Sequence, residues 1–498
     1  MNSFETVVLS DLHLTEVHDP DPRNPLWMAY KQRRHFVDDD FAALLDHLQA
    51  EATNPLELVL NGDIFDFDSV TKLPEEVPEG SHVNWLARLR GLGSEEWMSL
   101  FKIDTILSDH PTWIAALSRF IRRGGRVVFV IGNHDVELHW PSVQQRVREA
   151  VGANSGSGER TIGGQVEDDR VVFCPWFYLS QGDTYISHGH LYDGLCSTET
   201  AIDPIISVAG TPRVRVPFGD LAGRYMLNGM GYFNPHSTDN YIKQSAWSYL
   251  AFWLRFGLRT QPMLLWTWFW GAMATLLVSM RDHVCAPMRD PLTVDKKVRD
   301  IARRSGVTPS MVRQLDALNE PSSCRNPVRL LRELWLDRGL LFFALLFAAW
   351  QIILHINVAW SISPWWVALP IALLLPPYLG YASSVTPTVF KQPLLTEERA
   401  RLIAQITGAK RVVFGHTHVP KQAEIGPVQF FNAGFWSPAF ATPECKERIG
   451  TQSFVWIRSS GDERHAALYE WSPGGELPAP YEPAASLPPT APPVREAS

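Results

Sequence analysis

Five short apolar runs in this chain end on Asp, Asn and His, residue types that can ligate metals. Thr6-Val7-Val8-Leu9-Ser10 runs into Asp11-Leu12-His13, and Leu56-Glu57-Leu58-Val59-Leu60 is followed by Gly62-Asp63 with Asp66. Arg126–Ile131 leads to Gly132-Asn133-His134-Asp135, Asp183–Ser187 to His188-Gly189-His190, and Arg411–Phe414 to Gly415-His416-Thr417-His418. Such runs read as strands, and residues 35–50 carry apolar positions at helical spacing between the first two. Strands alternating with helices predict an α/β layered domain. The loops beyond the carboxyl ends of its strands form the usual site crevice, where the pattern delivers each Asp, Asn and His. Mixed oxygen and imidazole donors suit Mn²⁺, Fe²⁺, Co²⁺ or Zn²⁺, and the lack of cysteine among them argues against a structural zinc site.

Each motif alone is common; their order after successive strands is not. Together they resemble the calcineurin-like metallophosphoesterase superfamily, whose signature is DxH, GDxxD, GNH(D/E), a strand-terminal His and GHxH. The resemblance covers residues 5–200 and 400–470 and implies a four-layer αββα sandwich. By motif it places Asp11, His13 and His418 on one metal and Asn133, His188 and His416 on the other, with Asp63 bridging both. His190 remains an alternative to His188. The implied cofactors are two divalent ions, Mn²⁺ first, with Fe, Co or Zn as alternatives. A pair about 3.5–4 Å apart would activate water and clamp a phosphate. His134 resembles the family's general acid and Asp66 the carboxylate that orients it. Asn432 and Gly434 resemble the NxG turn that often follows GHxH. Phe67-Asp68 stands where the protein-phosphatase branch has Arg-Gly, which turns the expectation away from phosphoproteins.

The strand pattern stops near residue 200 and resumes at 411, with further strand-like runs at 428–432, 453–458 and 465–471. The expected organisation is therefore a first part of the phosphoesterase domain at 1–200, a helical insertion at 201–395, a second part at 396–471 and a disordered Pro/Ala-rich tail at 472–498. Residues 339–360 and 364–382 lack Asp, Glu, Lys and Arg and are long enough, or nearly so, to cross a hydrocarbon core. Trp360, Trp365 and Trp366 suit an aromatic belt. Run 263–280 is similar, with Trp266, Trp268 and Trp270 read as lipid-facing or interfacial, whereas 246–258 is shorter and carries Arg255. Both parts of one domain lie on one side of a membrane, so the crossings number two or four. The basic stretch 281–338 points to the cytoplasm by the positive-inside rule. With an N-terminus that reads as a first strand rather than a signal peptide, this gives an inner- or plasma-membrane protein with a cytoplasmic catalytic domain.

A net charge of −8 argues against a nucleic-acid partner. Five scattered cysteines read as reduced thiols. Asp38-Asp39-Asp40 reads as a solvated helix start and Gly152–Gly164 as a flexible loop. The expected function is a membrane-associated dinuclear phosphoesterase that hydrolyses a phosphodiester or diphosphate bond, with a lipid-linked substrate and membrane lipids as partners. Tyr249, Phe252, Trp253 and Arg255 would form an interfacial lid. In this logic the chain is similar to UDP-2,3-diacylglucosamine hydrolases, sharing SDLHL and a hydrophobic insertion but carrying GNHD for GNRD. The alternatives are a phosphodiesterase of soluble nucleotides whose insertion is only an anchor, and a non-catalytic membrane scaffold.

Overall fold

Consecutive apolar residues in a strand point to opposite faces, so a run such as Val7-Val8-Leu9 demands cover on both sides of its sheet. The computed structural model meets that demand twice over. It describes residues 4–152, 159–162, 165–168, 170–199, 201–232, 251, 254–255, 263–285, 291–384, 394–460, 463–472 and 479–480.

In chain order the first half contains β1 (Glu5–Leu9), α1 (Asp38–Glu51), β2 (Leu56–Asn61), α2 (Trp85–Arg90), α3 (Glu96–Asp109), α4 (Pro111–Arg122), β3 (Arg126–Val130) and α5 (Pro141–Ala150). Then come β4 (Glu159–Ile162), β5 (Gln165–Asp168), β6 (Val171–Cys174), β7 (Phe177–Ser180), β8 (Thr184–Ser187), β9 (Ile205–Val208) and β10 (Thr211–Val214). A helical stretch follows as α6 (Phe218–Ala222), a π turn (Gly223–Leu227) and α7 (Asn228–Met230). The later helices are α8 (Leu264–Val284), α9 (Pro291–Ser305), α10 (Pro309–Asp316), α11 (Pro327–Glu333), α12 (Leu336–Ala359), α13 (Ala368–Ser384) and α14 (Glu397–Thr407). The chain closes with β11 (Arg411–Phe414), β12 (Lys421–Ile425), β13 (Val428–Asn432), β14 (Gln452–Ser460), β15 (Glu463–Trp471) and β16 (Ala479–Pro480).

One sheet runs β16-β15-β14-β1-β2-β3-β6 and the other β12-β13-β11-β8-β7. The first is parallel from β1 to β6, with Val7 opposite Leu58 and Leu58 opposite Val127. In the second, β8, β11 and β13 are parallel. Val8, Val59, Val128, Ile186, Val413 and Val455 meet between the sheets. Their neighbours Val7, Leu58 and Phe129 face outward, where α1, α3 and α4 supply Phe41, Ile103 and Trp113. On the far side Val412 and Phe414 meet Val298 and Ile301 of α9, Val312 of α10 and Ile403 of α14. The result is the expected four-layer αββα sandwich.

The boundaries shift, however. Residues 291–316 fall in the expected insertion, yet α9 and α10 form most of the fourth layer beside α14. Hairpin β9–β10 is also tied to the body, Val214 N donating to Ser94 O at 3.2 Å. The described part of 152–164 contributes to the β4–β5 hairpin rather than a loop. The start of the acidic run is not solvated: Asp38 is buried and its carboxylate lies 2.8 Å from His110 Nδ1, while Asp40 accepts from Gln452 Nε2 at 3.0 Å. Within the expected tail, β16 pairs with Tyr469 and Glu470 of β15; 473–478 and 481–498 lie outside the described residues.

Among the described residues, two helices are long and apolar enough to cross a membrane, Leu336–Ala359 and Trp365–Ser384. At 1.5 Å per residue, α12 reaches about 36 Å against a hydrocarbon core of about 30 Å. Its Phe343, Phe347, Trp350 and Val358 are exposed. The 263–280 run behaves differently. It lies in α8, which packs one face on the body: a Cβ on Gly271 would meet Tyr225 O at 2.6 Å, and Asp282 pairs with Arg213 at 3.4 Å. The opposite face exposes Leu265, Trp266, Trp270 and Leu277. Of 246–258, Tyr249, Phe252 and Trp253 lie outside the described residues.

If α9 is a layer of the sandwich, Ile301→Ala should lower the stability of detergent-solubilised protein by about 2–5 kcal/mol. Arg299→Ala, at an exposed position of the same helix, should stay within about 0.5 kcal/mol. Denaturant unfolding distinguishes this from a separately folded insertion, in which neither change would move the sandwich transition.

Candidate metal centre

The parallel strands end at the same rim, and the residues just beyond them turn inward sharply. Asp11, His13, Asp63, His416 and His418 all adopt positive φ, between 49° and 67°. This conformation costs a non-glycine residue on the order of 1–3 kcal/mol and concentrates where the surrounding fold over-determines the geometry. The motif glycines permit the close approach. A Cβ on Gly132 would stand 2.3 Å from Asp63 Oδ1, and one on Gly415 would overlap Ser10 Oγ and Asp11 Oδ2. Asp135 then ties two of the loops together, accepting from Gly132 N at 2.6 Å and Ile64 N at 2.9 Å.

Two ligand clusters result, Asp11 with His13 and His418, and Asp63 with His188 and His416. In the first, His418 Nε2 lies 3.1 Å from Asp11 Oδ1 and 3.3 Å from His13 Nε2. In the second, His188 Nε2 lies 3.0 Å from Asp63 Oδ2, an oxygen that is also 3.9 Å from His13 Nε2. Asp63 thus reaches both clusters. Overlapping groups join His13 to Asp66 and His134, His134 to Asp68 and Asp220, and His416 to Asp193 and Cys196.

The donors fit metal ions. His188 Nδ1 lies 2.9 Å from Asn61 O, which can only accept, so the neutral ring carries its proton there. Its Nε2 lone pair then faces the Asp63 carboxylate, and two acceptors at that distance need a positive charge between them. Burial pushes the His188 pKa down, but Asp63 and Asp11 outweigh it and lift it to about 9. A proton and a metal ion compete for the same nitrogen. Among the described residues, Asn133 Oδ1 is buried without a hydrogen-bond partner, while Asp11 Oδ1 and His188 Nε2 are buried facing only other residues of the site. Burial of this kind is costly unless something satisfies the groups.

His190 is also buried, but it stands behind His188 at a ring separation of 5.6 Å and joins none of the clusters. Burial, with the charges of His188 and His416, holds its pKa well below the usual imidazole value. His134 is the rim residue, with a side chain 22% exposed. Its Nδ1 lies 3.3 Å from Asp66 Oδ1, and Ser69 N donates to the same carboxylate oxygen at 3.1 Å. Burial disfavours the His134 cation, but Asp220, Asp66 and Asp63 prevail and hold its pKa well above the ordinary value.

Two nearby carboxylates escaped the sequence reading. Asp193 Oδ2 lies 3.2 Å from His416 Nε2, and Asp220 Oδ1 accepts from Asn133 Nδ2 at 2.9 Å. Asp193 follows the His188 motif closely enough to have been suspected. Asp220, in Phe218-Gly219-Asp220, carries no motif signal. Asp68, in place of the Arg-Gly continuation, is buried against Arg224.

The model of the calcineurin-like phosphoesterase family matches residues 4–215. The match ends before Asp220 and before the Gly415–His418 motif, both of which the fold returns to this rim. No curated protein matches the chain.

The geometry distinguishes the two histidines of the fourth motif. His188→Ala should reduce bound metal by about one equivalent, since one ligand of a tight site is lost, whereas His190→Ala should retain the wild-type content. Elemental analysis of dialysed protein checks this, and the reverse pattern would reassign the ligand.

Proposed function

We propose that this protein, whose residues 4–215 match the calcineurin-like phosphoesterase family, is a metal-dependent phosphoesterase that cleaves a phosphodiester or diphosphate bond in a lipid-bearing substrate at a membrane face. In this reading Asp11, His13 and His418 hold one divalent ion and Asn133, His188 and His416 a second, with Asp63 shared and Mn²⁺ the first choice of metal. Bound ions would lower the pKa of water and offset charge on the phosphate oxygens. The protein's own residues do the rest. His134, at the rim and cationic, donates its proton to the departing oxygen. Asp66 holds His134 Nδ1, so the proton to be given sits on Nε2, which Asp220 faces at 3.5 Å, and Ser69 fixes Asp66 in turn. Buried glycine-backed loops keep the donors rigid, so little reorganisation accompanies charge transfer.

A continuous series of contacts from this rim to the apolar hairpin supports the lipid-bearing substrate. Asp220 of α6 reaches Asn133, α8 packs on α6 and its π turn, and residues of α8 share a core with Leu330, Leu334 and Leu336 at the root of α12. A lipid tail sheltered along these elements gains about 0.8 kcal/mol per buried methylene while its headgroup reaches the site. With α12 and α13 as the crossing pair among the described residues, the sandwich and its basic α9 lie on one side, and the positive-inside rule makes that side cytoplasmic.

His134→Ala should keep the metal content and lower kcat on bis(4-nitrophenyl) phosphate by about 10²–10⁴-fold. Its raised pKa gives the sign of the pH effect. The proton donor is lost as pH rises through that value, so wild-type kcat should fall on the alkaline side and the variant should lack that limb.

The substrate class is tested by kcat/KM for a lipid-tailed phosphodiester against its short-chain analogue in detergent micelles. A marked preference for the tailed compound is expected. Equal values would reduce the apolar helices to an anchor, and complete release by alkaline carbonate would exclude spanning.

A further inference from the structure

We propose that Asp220 is a positioning residue that fixes which end of the Asn133 amide faces the metal centre. The inference rests on the metal-dependent reading above. An asparagine amide has an oxygen end, which can ligate a cation, and an NH₂ end, which cannot. The two are nearly equal in shape, so the surroundings must choose between them. Asp220 makes that choice by accepting from Asn133 Nδ2 at 2.9 Å. A carboxylate attracts the NH₂ end and repels the oxygen, which leaves Asn133 Oδ1 directed elsewhere, buried and without a hydrogen-bond partner among the described residues. The same Asp220 oxygen lies 3.5 Å from His134 Nε2, so one carboxylate faces two consecutive residues of the motif.

Asp220 can play this part because its helix is held from several directions. One turn on, Arg224 is buried in an ion pair with Asp68, and its guanidinium also lies 3.6 Å from Glu137. Asn228 donates to Asp68 O at 2.7 Å and to Arg90 O at 3.0 Å. Gly271 lets α8 approach the π turn so closely that any side chain there would meet Tyr225 O. The element that orients Asn133 therefore lies beyond the residues matched by the family model and is braced by α8.

The test is a calorimetric Mn²⁺ titration of metal-free, full-length protein in detergent, with thermal unfolding measured alongside. Wild-type protein should bind two ions. Asp220→Ala should weaken one site by about 10–100-fold, the usual cost of removing an outer-shell partner, and leave the other within about threefold. Asp220→Asn can still accept from Asn133 Nδ2 and should keep both affinities within about threefold. On an Asn133→Ala background, Asp220→Ala should cost nothing further, because the contact is already gone. Unchanged affinities in a folded Asp220→Ala protein would overturn the inference. So would a loss in Asp220→Asn as large as in Asp220→Ala, since that would mean the charge itself binds metal. If Asp220→Ala does not fold, Asp220→Asn decides alone, a tenfold loss counting against the proposal. Wild-type protein that takes up no Mn²⁺ would instead sink the metal-dependent reading, and this inference with it.

Discussion

An imidazole lone pair and a carboxylate oxygen cannot share 3.0 Å of dry interior unless a positive charge lies between them. His188 and Asp63 stand in that relation because the Asn61 carbonyl claims the proton on the other ring nitrogen. Much of the rim serves the same demand. Left-handed backbone at Asp11, Asp63 and His416 turns acceptors inward, and the glycines beside them remove the methyl groups that would hold the loops apart. A bound cation would offset the negative charge that the fold concentrates at this rim.

The strands and their motifs were readable because their requirements are local. A strand covered on both faces must be apolar at consecutive positions, as Val127-Val128-Phe129 is, and a ligand at its end must follow within a residue or two. The fourth layer was harder to see. Lys296, Lys297 and Arg299 give α9 a strongly basic outline, while Val298, Ile301 and Ala302 carry its buried apolar stripe. Charge was therefore read as topology, although the same helix also closes the core. Periodicity marked 263–280 as one more apolar run. It could not show that small residues such as Gly271 and Ala272 mark a face pressed against protein.

Asp220 shows a different limit. Its role depends on an amide 87 positions away in the chain, and nothing in Phe-Gly-Asp announces it. Spacing rules work where the partner lies on the same strand or turn. They fail where a side chain is chosen by tertiary approach. Asp38 failed in the reverse sense: three consecutive acids looked like a solvated helix start, but the first is paired with His110 beneath the helix.

The distance along the chain between partners has a consequence for biosynthesis. Asp11 meets His418, and β1 pairs with β14 through Val7 and Trp456. Synthesis proceeds from the amino end, so β1 waits with one edge open until more than 400 further residues have left the ribosome. In that interval α12 and α13 emerge, and their apolar surface seeks lipid before the second sheet has its central strand β11. Long-range closure of this kind is slow and leaves an unpaired strand edge exposed. Partition of the hairpin into lipid, as the proposed reading has it, would tether the unfinished first half beside a bilayer. On that reading, the ligand set would therefore close only after membrane engagement, when His418 joins Asp11.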